Sequence, residues 1–187
     1  MQALCIKVVS KDRRKLIVRK LNKLKGVQMK RKLLPAAIAL AFLSGCASVP
    51  MESEENSNFA KQFNSPSPDT AGIYVYRSNT AVGAALKKDV WIDKECIGET
   101  AKGVFFYHEV EGDKDHAIST ESEFSPNDLI IKTETGELYF VEQFIKMGVF
   151  VGGAGVEQRD KETGKKVVSN LKLAKKGACS APRTSEE

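Results

Sequence analysis

Few side chains in this 187-residue chain have the chemistry for acid–base catalysis. The chain has two histidines, His108 and His116. His108 and Glu109 are adjacent, and because neighbouring strand residues point to opposite faces, this pair does not converge on a substrate. An enzyme built on either histidine therefore needs a carboxylate supplied by another part of the fold. No Gly-x-Ser-x-Gly motif offers an activated serine. We name no catalytic residue.

Sequence signals for metal and phosphate binding are equally scarce. The chain has no Cys-x-x-Cys motif and no cluster of cysteine and histidine, so we predict no metal site and no cofactor. The glycine-rich stretch at residues 147–157 lacks the Gly-Lys-Ser/Thr and the Gly-x-Gly-x-x-Gly spacing of nucleotide-binding loops. It fits a flexible loop or bulged strand that joins two sheets. It also fits an exposed apolar loop in which Phe150 meets a membrane or a partner.

Two further side chains are candidate contacts for a ligand or partner. Arg77 ends the strand-like run YVYR and could bind a carboxylate or phosphate, or pair with Asp89 or Asp93 of its own sheet. Trp91 could join the tyrosines in an aromatic groove, or lie in the core as most strand aromatics do. With Phe150, these residues form our set of candidate contacts.

The remaining reactive group is the thiol of Cys46, which follows an apolar run. That run, residues 33–43, is too short to span a bilayer, which takes about 20 residues. Its length and the preceding Lys30-Arg31-Lys32 match the apolar region and positive flank of a signal peptide. Leu43-Ser44-Gly45-Cys46 resembles the lipobox of bacterial lipoproteins. The alternative is an ordinary secretory signal with a chance cysteine.

The lipobox resemblance implies a lipid anchor. A diacylglyceryl group would join the Cys46 thiol, cleavage would fall between Gly45 and Cys46, and a fatty acid such as palmitate could acylate the new amino group. Ala47 is not the aspartate associated with retention in the inner membrane. Resemblance to Gram-negative lipoproteins therefore implies the outer membrane, with the protein facing the periplasm.

The charge of the chain changes sign where this leader ends. The whole chain carries a net charge of +5, but from Cys46 onward 17 basic and 23 acidic residues leave a net of −6. An acidic domain repels phosphate backbones, so we expect no nucleic-acid partner. The basic residues 1–28 are either a membrane-surface helix or lie upstream of a true start at Met29, and on both interpretations they are absent from the mature protein.

Two cysteines remain once Cys5 leaves with the leader and Cys46 takes the lipid. Cys96 and Cys179 would then lie in an oxidising compartment, where a disulfide between them would tie the C-terminal tail to a hairpin. The alternative is two unpaired thiols, since sequence alone gives no distance between them.

The mature chain divides into three parts by composition. Residues 46–70 are rich in serine, asparagine, glutamate and proline and predict a lipidated cysteine followed by a flexible linker. Within it, Phe59 and Phe63 could share a face of a short helix capped by Ser57 and dock the linker on the domain. Residues 71–176 predict a β-rich domain, and 177–187 a disordered tail.

Short strand patterns recur about every 8 to 12 residues through the β-rich domain. Examples are AGIYVYR, the hairpin KDVWIDKECIGET turning near Asp93-Lys94-Glu95, and ELYFVEQFIKM. A strand is expected near Val156–Arg159 and a short helical turn around Lys165–Leu171. Apolar residues on both faces of several strands favour two packed layers. We therefore predict an all-β, antiparallel sandwich-like domain with a short C-terminal helix, preceded by a signal peptide and a flexible tether.

Several short motifs support a family resemblance over nearly all of residues 43–175. They are Lys61 and Phe63, Tyr74-Val75-Tyr76-Arg77, Asp93 with Ile97-Gly98, Gly136 with Tyr139-Phe140-Val141, and Met147-Gly148. With them the chain resembles a family of bacterial lipoproteins whose domain has no assigned function. The hairpin portion also resembles PEGA-type surface domains, although Glu111-Gly112-Asp113 departs from their four-residue motif. The resemblance implies fold and location and supplies no catalytic residue.

The sequence thus leads to one hypothesis and one alternative. The hypothesis is a lipid-anchored envelope protein whose non-enzymatic β domain binds or scaffolds at the periplasmic membrane face. Its partners would be the membrane, through the anchor, and an envelope protein or cell-wall component. The alternative is a periplasmic hydrolase or isomerase with a histidine–carboxylate site.

Overall fold

The computed structural model describes residues 47–121, 127–146, 152–177 and 179–180. The predicted signal peptide, Gly45, Cys46 and Phe150 lie outside these residues. Within them the chain forms nine strands and two helices. The strands are β1 Thr70–Arg77, β2 Lys88–Ile92, β3 Glu95–Thr100, β4 Val104–Glu111, β5 Asp115–Thr120, β6 Asn127–Lys132, β7 Leu138–Lys146, β8 Gly153–Arg159 and β9 Lys172–Leu173; the helices are α1 Glu54–Ala60 and α2 Lys161–Val168.

The strands form two sheets. A five-stranded sheet has the order β8-β7-β1-β4-β9, and a four-stranded sheet has the order β3-β2-β5-β6. Most pairs are antiparallel, but β1 pairs with β7, and β4 with β9, in parallel. The prediction of an all-β, largely antiparallel sandwich with a short helix near the C-terminus is confirmed. The two parallel pairs were not predicted, because they join segments that are distant in sequence.

The main core lies between the two sheets. Ile73 and Val75 of β1 are fully buried there, together with Phe106 of β4 and Ile118 of β5. Alternation along each strand sends every second side chain into this layer. Trp91 is flanked in sequence by Val90 and Ile92, which point into the core, so its own ring lies on the opposite face of the four-stranded sheet.

A second core covers the outer face of the five-stranded sheet. Tyr74, Tyr76, Phe105 and Phe140 project from this face and pack against residues of α2, among them Val168. Both faces of the larger sheet are therefore buried, which explains the apolar residues on both sides of its strands. The helix sits so close that a Cβ at Gly164 would overlap the ring of Phe140. Glycine is needed at this position because the helix and the strand approach so closely.

The hairpin between β2 and β3 turns through Asp93 and Lys94. Both residues have positive φ, 49° and 72°, as a two-residue type I′ turn requires. The predicted position of this turn is therefore confirmed. Helix α2 begins earlier than the expected Lys165, because the Asp160 side chain accepts a hydrogen bond from the Thr163 amide and caps the helix before Lys161.

The segment predicted to be a flexible linker contacts the domain from Ala47 onward. Residues 47–52, which we term the N-terminal strap, lie antiparallel to residues 172–177, the C-terminal segment. The Glu52 amide donates to the Leu173 carbonyl at 3.0 Å, and the Lys175 amide donates to the Pro50 carbonyl at 2.9 Å. Val49 is buried in the main core. The strap thus covers the edge of the five-stranded sheet.

Helix α1 follows the strap and is capped by Ser53 rather than by the predicted Ser57. The Ser53 hydroxyl accepts a hydrogen bond from the Asn56 amide at 3.1 Å. Ser57 lies within α1 and is buried, and its hydroxyl accepts a hydrogen bond from the Leu173 amide of β9 at 3.2 Å. Phe63 docks as expected, with its ring 5.4 Å from that of Tyr74. Phe59 does not share this contact and remains exposed.

The start of the predicted disordered tail is also bonded to the domain. The sulfur atoms of Cys96 and Cys179 form a disulfide, which ties the tail to β3. The Gly177 amide donates to the Ile97 carbonyl, and the Ser180 amide and hydroxyl both donate to the Asp89 carboxylate. Among the described residues, no helix is long and apolar enough to cross a membrane.

Candidate functional site

A groove of about 670 Å³ opens beside α1 at the covered edge of the five-stranded sheet. One wall is α1 with the following residues 64–67, and the other is the C-terminal segment from Leu173 to Lys176. Tyr74 of β1 and Tyr107 of β4 line the groove between these walls. We call this feature the α1 groove. It is the candidate functional site.

Tyr74 joins the groove to the second core. Its ring stacks on that of Phe140, with centroids 5.0 Å apart, and lies 4.7 Å from that of Tyr107. Its hydroxyl donates to the Ala60 carbonyl at 2.7 Å, which fixes the C-terminal end of α1 against the sheet. Burial, and then the nearby charge of Glu109, raise the pKa of Tyr74 to about 12. Tyr74 therefore stays neutral at physiological pH and, being 2% exposed, supports α1 and the ring of Tyr107 without presenting its own ring to a ligand.

Glu109 holds the loop that borders the groove. It accepts hydrogen bonds from the Tyr107 hydroxyl at 2.8 Å, and from the Ser67 amide and the Thr70 hydroxyl at 3.3 Å each. Burial alone would raise the pKa of Glu109, but these hydrogen bonds to its charged form outweigh burial and lower the pKa. The carboxylate is thus ionised and fully engaged, which suits a structural role rather than proton transfer.

Exposed apolar and charged groups lie along the groove rim. Phe59 is 64% exposed, which is unusual for a phenylalanine on a helix that packs against a sheet. Lys175 and Lys176 are exposed on the facing wall. On the helix side the Asn56 side chain donates through its Nδ2 to the Glu52 carboxylate at 3.0 Å. The groove therefore combines the exposed ring of Phe59 and the half-buried ring of Tyr107 with a cationic wall and a polar wall.

His108 lies next to this site but does not line it. His108 lies two residues after Phe106 on β4, so its side chain is on the same face of the strand. Its Nδ1 is 2.5 Å from the Lys176 ammonium. Burial, and then Lys176, lower the pKa of His108. As predicted, His108 and Glu109 point to opposite faces of β4, since Glu109 shares the face of Tyr107.

His116 has both ring nitrogens engaged. Nδ1 lies 2.5 Å from a carboxylate oxygen of Asp93, and Nε2 lies 2.8 Å from the Glu111 carbonyl. The other Asp93 oxygen accepts the Ala117 amide at 2.9 Å. A histidine next to a carboxylate is what the enzymatic alternative requires. Here, however, the ring is buried, points outside the α1 groove and offers no nitrogen to a substrate.

The structure does not bring Arg77 or Trp91 to the groove. Arg77 is 3% exposed, and its guanidinium donates to the backbone carbonyl of Leu86 at 2.8 Å and to that of Gly83. It therefore holds the loop between β1 and β2 instead of pairing with Asp89 or Asp93, and burial lowers its pKa. Trp91 is 6% exposed between Cys96 of β3 and Ser119 of β5.

A buried polar network between the sheets has no access to solvent. The Gln143 side chain accepts from the Thr100 hydroxyl and donates to the Thr120 hydroxyl, and Thr120 in turn donates to the Asp89 carbonyl at 2.8 Å. Gln143 is 1% exposed. This network specifies how the two sheets pack and offers no surface to a ligand. In the described part of the chain, no group of three or more His, Cys, Asp or Glu side chains could hold a metal ion.

Apart from the tyrosines, which were considered as groove partners of Trp91, the groove residues were not identified from sequence. Tyr107 and Glu109 are two apart on a strand and so share a face, a signal that period-two analysis could have found. Ser67 and Lys176, which meet this face from opposite sides, give no sequence signal of their proximity. Their contacts depend on tertiary packing across about a hundred residues.

Comparisons with known proteins identify relatives of this domain. Residues 67–154 match a family model described as "Protein of unknown function (DUF2846)". An uncharacterized protein of Haemophilus influenzae is 55% identical over 132 residues, which is 71% of this chain and 77% of that protein. No solved structure matches the chain. The resemblance to PEGA-type domains and to lipoproteins stays a prediction.

We predict that His108 titrates below the ordinary histidine range, because burial and the Lys176 ammonium both disfavour the charged ring. The unfolded chain then binds the proton more readily than the folded one. The stability that the fold gains from keeping His108 neutral is therefore fully present above about pH 6.5. It is lost as the pH falls below that value. Lys176→Met should raise the His108 pKa only part of the way, since burial is the larger cause. NMR titration of the imidazole signals measures it.

The matched control is Lys166→Met, which removes an exposed lysine of α2. It should leave the His108 titration unchanged. Wild-type titration at or above the ordinary value, or an equal response to both substitutions, would contradict the prediction.

Proposed function

The chain belongs to the DUF2846 family of proteins of unknown function, and we propose that it is a lipid-anchored protein of the bacterial cell envelope. Its β domain binds a partner at the periplasmic face of the membrane and is not an enzyme. The observation that carries this proposal is the open α1 groove, which lies at the sheet edge that the strap of residues 47–52 covers.

The leader sequence supports the anchor. A positive flank, an apolar run of signal-peptide length and the sequence Leu43-Ser44-Gly45-Cys46 occur in the correct order. Each buried methylene of an acyl chain contributes about 0.8 kcal/mol to membrane binding, so two or three chains make a durable anchor where one does not. Ala47 after the cysteine favours the outer membrane over the inner one.

The composition of the groove favours binding over catalysis. Its exposed Phe59 and half-buried Tyr107 are typical of recognition sites, in which aromatic side chains are enriched. Neither histidine lines it, and its best-placed carboxylate, Glu109, is held by three donors. A partner in the envelope, either a protein or a cell-wall component, fits this surface. The net charge of −6 from Cys46 onward disfavours nucleic acid.

The anchor is tested by substituting the lipidated residue. We expect wild-type protein expressed with its leader to incorporate labelled palmitate and to sediment with the outer membrane, because the Cys46 thiol carries acyl chains. Cys46→Ser should lose both properties. The control Cys96→Ser should keep both, since it removes a cysteine of the disulfide only. Label retained in Cys46→Ser would contradict the proposal.

Binding at the groove is tested by site-specific photo-crosslinking in living cells. A benzoylphenylalanine at position 59 should give a discrete adduct in the envelope fraction, because Phe59 projects from the groove rim. The same group at position 130 should give none, since Ile130 is similarly exposed, at 60%, but lies on the outer face of the other sheet. Loss of the position-59 adduct in Cys46→Ser would link binding to the membrane. Equal adducts at both positions would contradict a groove-specific partner.

A further inference from the structure

The N-terminal strap leaves almost no free chain between Cys46 and the folded domain. Ala47 is half-buried and packs against the main core, and Val49 is 9% exposed within it. The strap is then fixed by the two backbone hydrogen bonds that join Pro50 and Glu52 to the C-terminal segment. The first packed residue of the domain is therefore the residue next to the cysteine.

This short connection limits how far the domain can stand from a bilayer. Successive Cα atoms are about 3.8 Å apart, whereas the headgroup region on each side of the hydrocarbon is roughly 5–7 Å thick. If acyl chains hold Cys46 at the hydrocarbon boundary, then Ala47 and Ser48 lie within the headgroup region. The edge of the domain that contains them must touch lipid.

We propose that a defined edge of this domain contacts the membrane surface directly. This anchor edge consists of residues 47–51 of the strap and of Lys175 and Lys176 in the C-terminal segment. The inference rests on the proposed acylation of Cys46. Beyond that acylation, we infer that the acyl chains fix the orientation of the domain as well as its location. The partner of the anchor edge is the bilayer.

The chemistry of the anchor edge suits a phospholipid surface. Met51 is 40% exposed and offers an apolar side chain to the interface. Lys175 and Lys176 are exposed beside it; the Lys175 ammonium can approach the phosphates of lipid headgroups, while that of Lys176 contacts His108. The chain from Cys46 onward has a net charge of −6, so these two lysines give this edge a local positive charge within an acidic protein. Charge therefore favours this edge facing the bilayer.

The same two lysines form part of the α1 groove wall. The groove thus opens beside the anchor edge, close to the headgroups. Ile130 lies on the opposite side of the sandwich, because its neighbours Leu129 and Ile131 pack into the main core and turn it outward from the four-stranded sheet. Met51 and Ile130 therefore report on opposite sides of the domain.

The test is quenching of tryptophan fluorescence by brominated phospholipids. The protein is purified with its native lipid and reconstituted in vesicles of phosphatidylethanolamine and phosphatidylglycerol. Met51→Trp and Ile130→Trp are compared in a Trp91→Phe background, or with Trp91 retained and its signal subtracted if that background unfolds. Fluorescence of Met51→Trp should fall at least about twofold, as for a side chain within about 5–10 Å of the acyl boundary, and that of Ile130→Trp should not change.

A flexible insertion provides the matched control for orientation. About 20 Gly/Ser residues between Cys46 and Ala47 would give the domain a root-mean-square reach of about 25 Å and should reduce the quenching at position 51. Mass spectrometry of the same samples separates the two proposals. Acylated protein in which both positions are unquenched, or equally quenched, overturns the anchor edge alone. An unmodified Cys46 overturns both proposals.

Discussion

The pairing of the N-terminal strap with the C-terminal segment determines the arrangement of the α1 groove. Two backbone hydrogen bonds, from Glu52 to the Leu173 carbonyl and from Lys175 to the Pro50 carbonyl, join the two ends of the described chain. The C-terminal segment is itself held by β4, where the Ala174 amide donates to the Phe105 carbonyl at 2.8 Å. The strap therefore extends a continuous hydrogen-bonded surface and covers an edge that would otherwise be open to pairing with another chain.

This pairing has consequences in both directions along the chain. It places α1 against β9, where Ser57 accepts the Leu173 amide, and so builds one wall of the groove against the other. It also docks the chain on the sheet from Ala47 onward. Toward the C-terminus, the Gly177 amide and the disulfide at Cys179 continue the contact onto β3. The groove, the proposed anchor edge and the contact between the two sheets thus all depend on this pairing.

Sequence patterns predicted the local features of this fold and missed those that depend on distant contacts. Alternating apolar residues located β1 and β7, and the Asp93-Lys94 pair located a turn whose backbone fits type I′. The parallel pairing of β1 with β7 has no local signature, because about sixty residues separate the strands.

Amino-acid composition also gave a wrong prediction of flexibility where tertiary contacts order the chain. The strap and α1 region is rich in serine, asparagine and glutamate, and this predicts a flexible linker. The few apolar residues within it, Val49 and Phe63, reach two different cores and dock the segment nonetheless. Likewise, Arg77 was a candidate ligand contact at the end of a strand but is buried by the loop that it holds. The groove could not be predicted, since its walls come from segments that meet only in the folded chain.

Amide hydrogen exchange of Glu52 and Lys175 in the native protein tests the docked strap most directly. Each of these amides donates only across the strap pairing, whereas the Ala174 amide donates to β4 and serves as an internal reference. A docked strap predicts that all three amides exchange slowly and to a similar degree. Fast exchange at Glu52 and Lys175, with Ala174 still protected, would show that the strap is a free tether and would contradict the account.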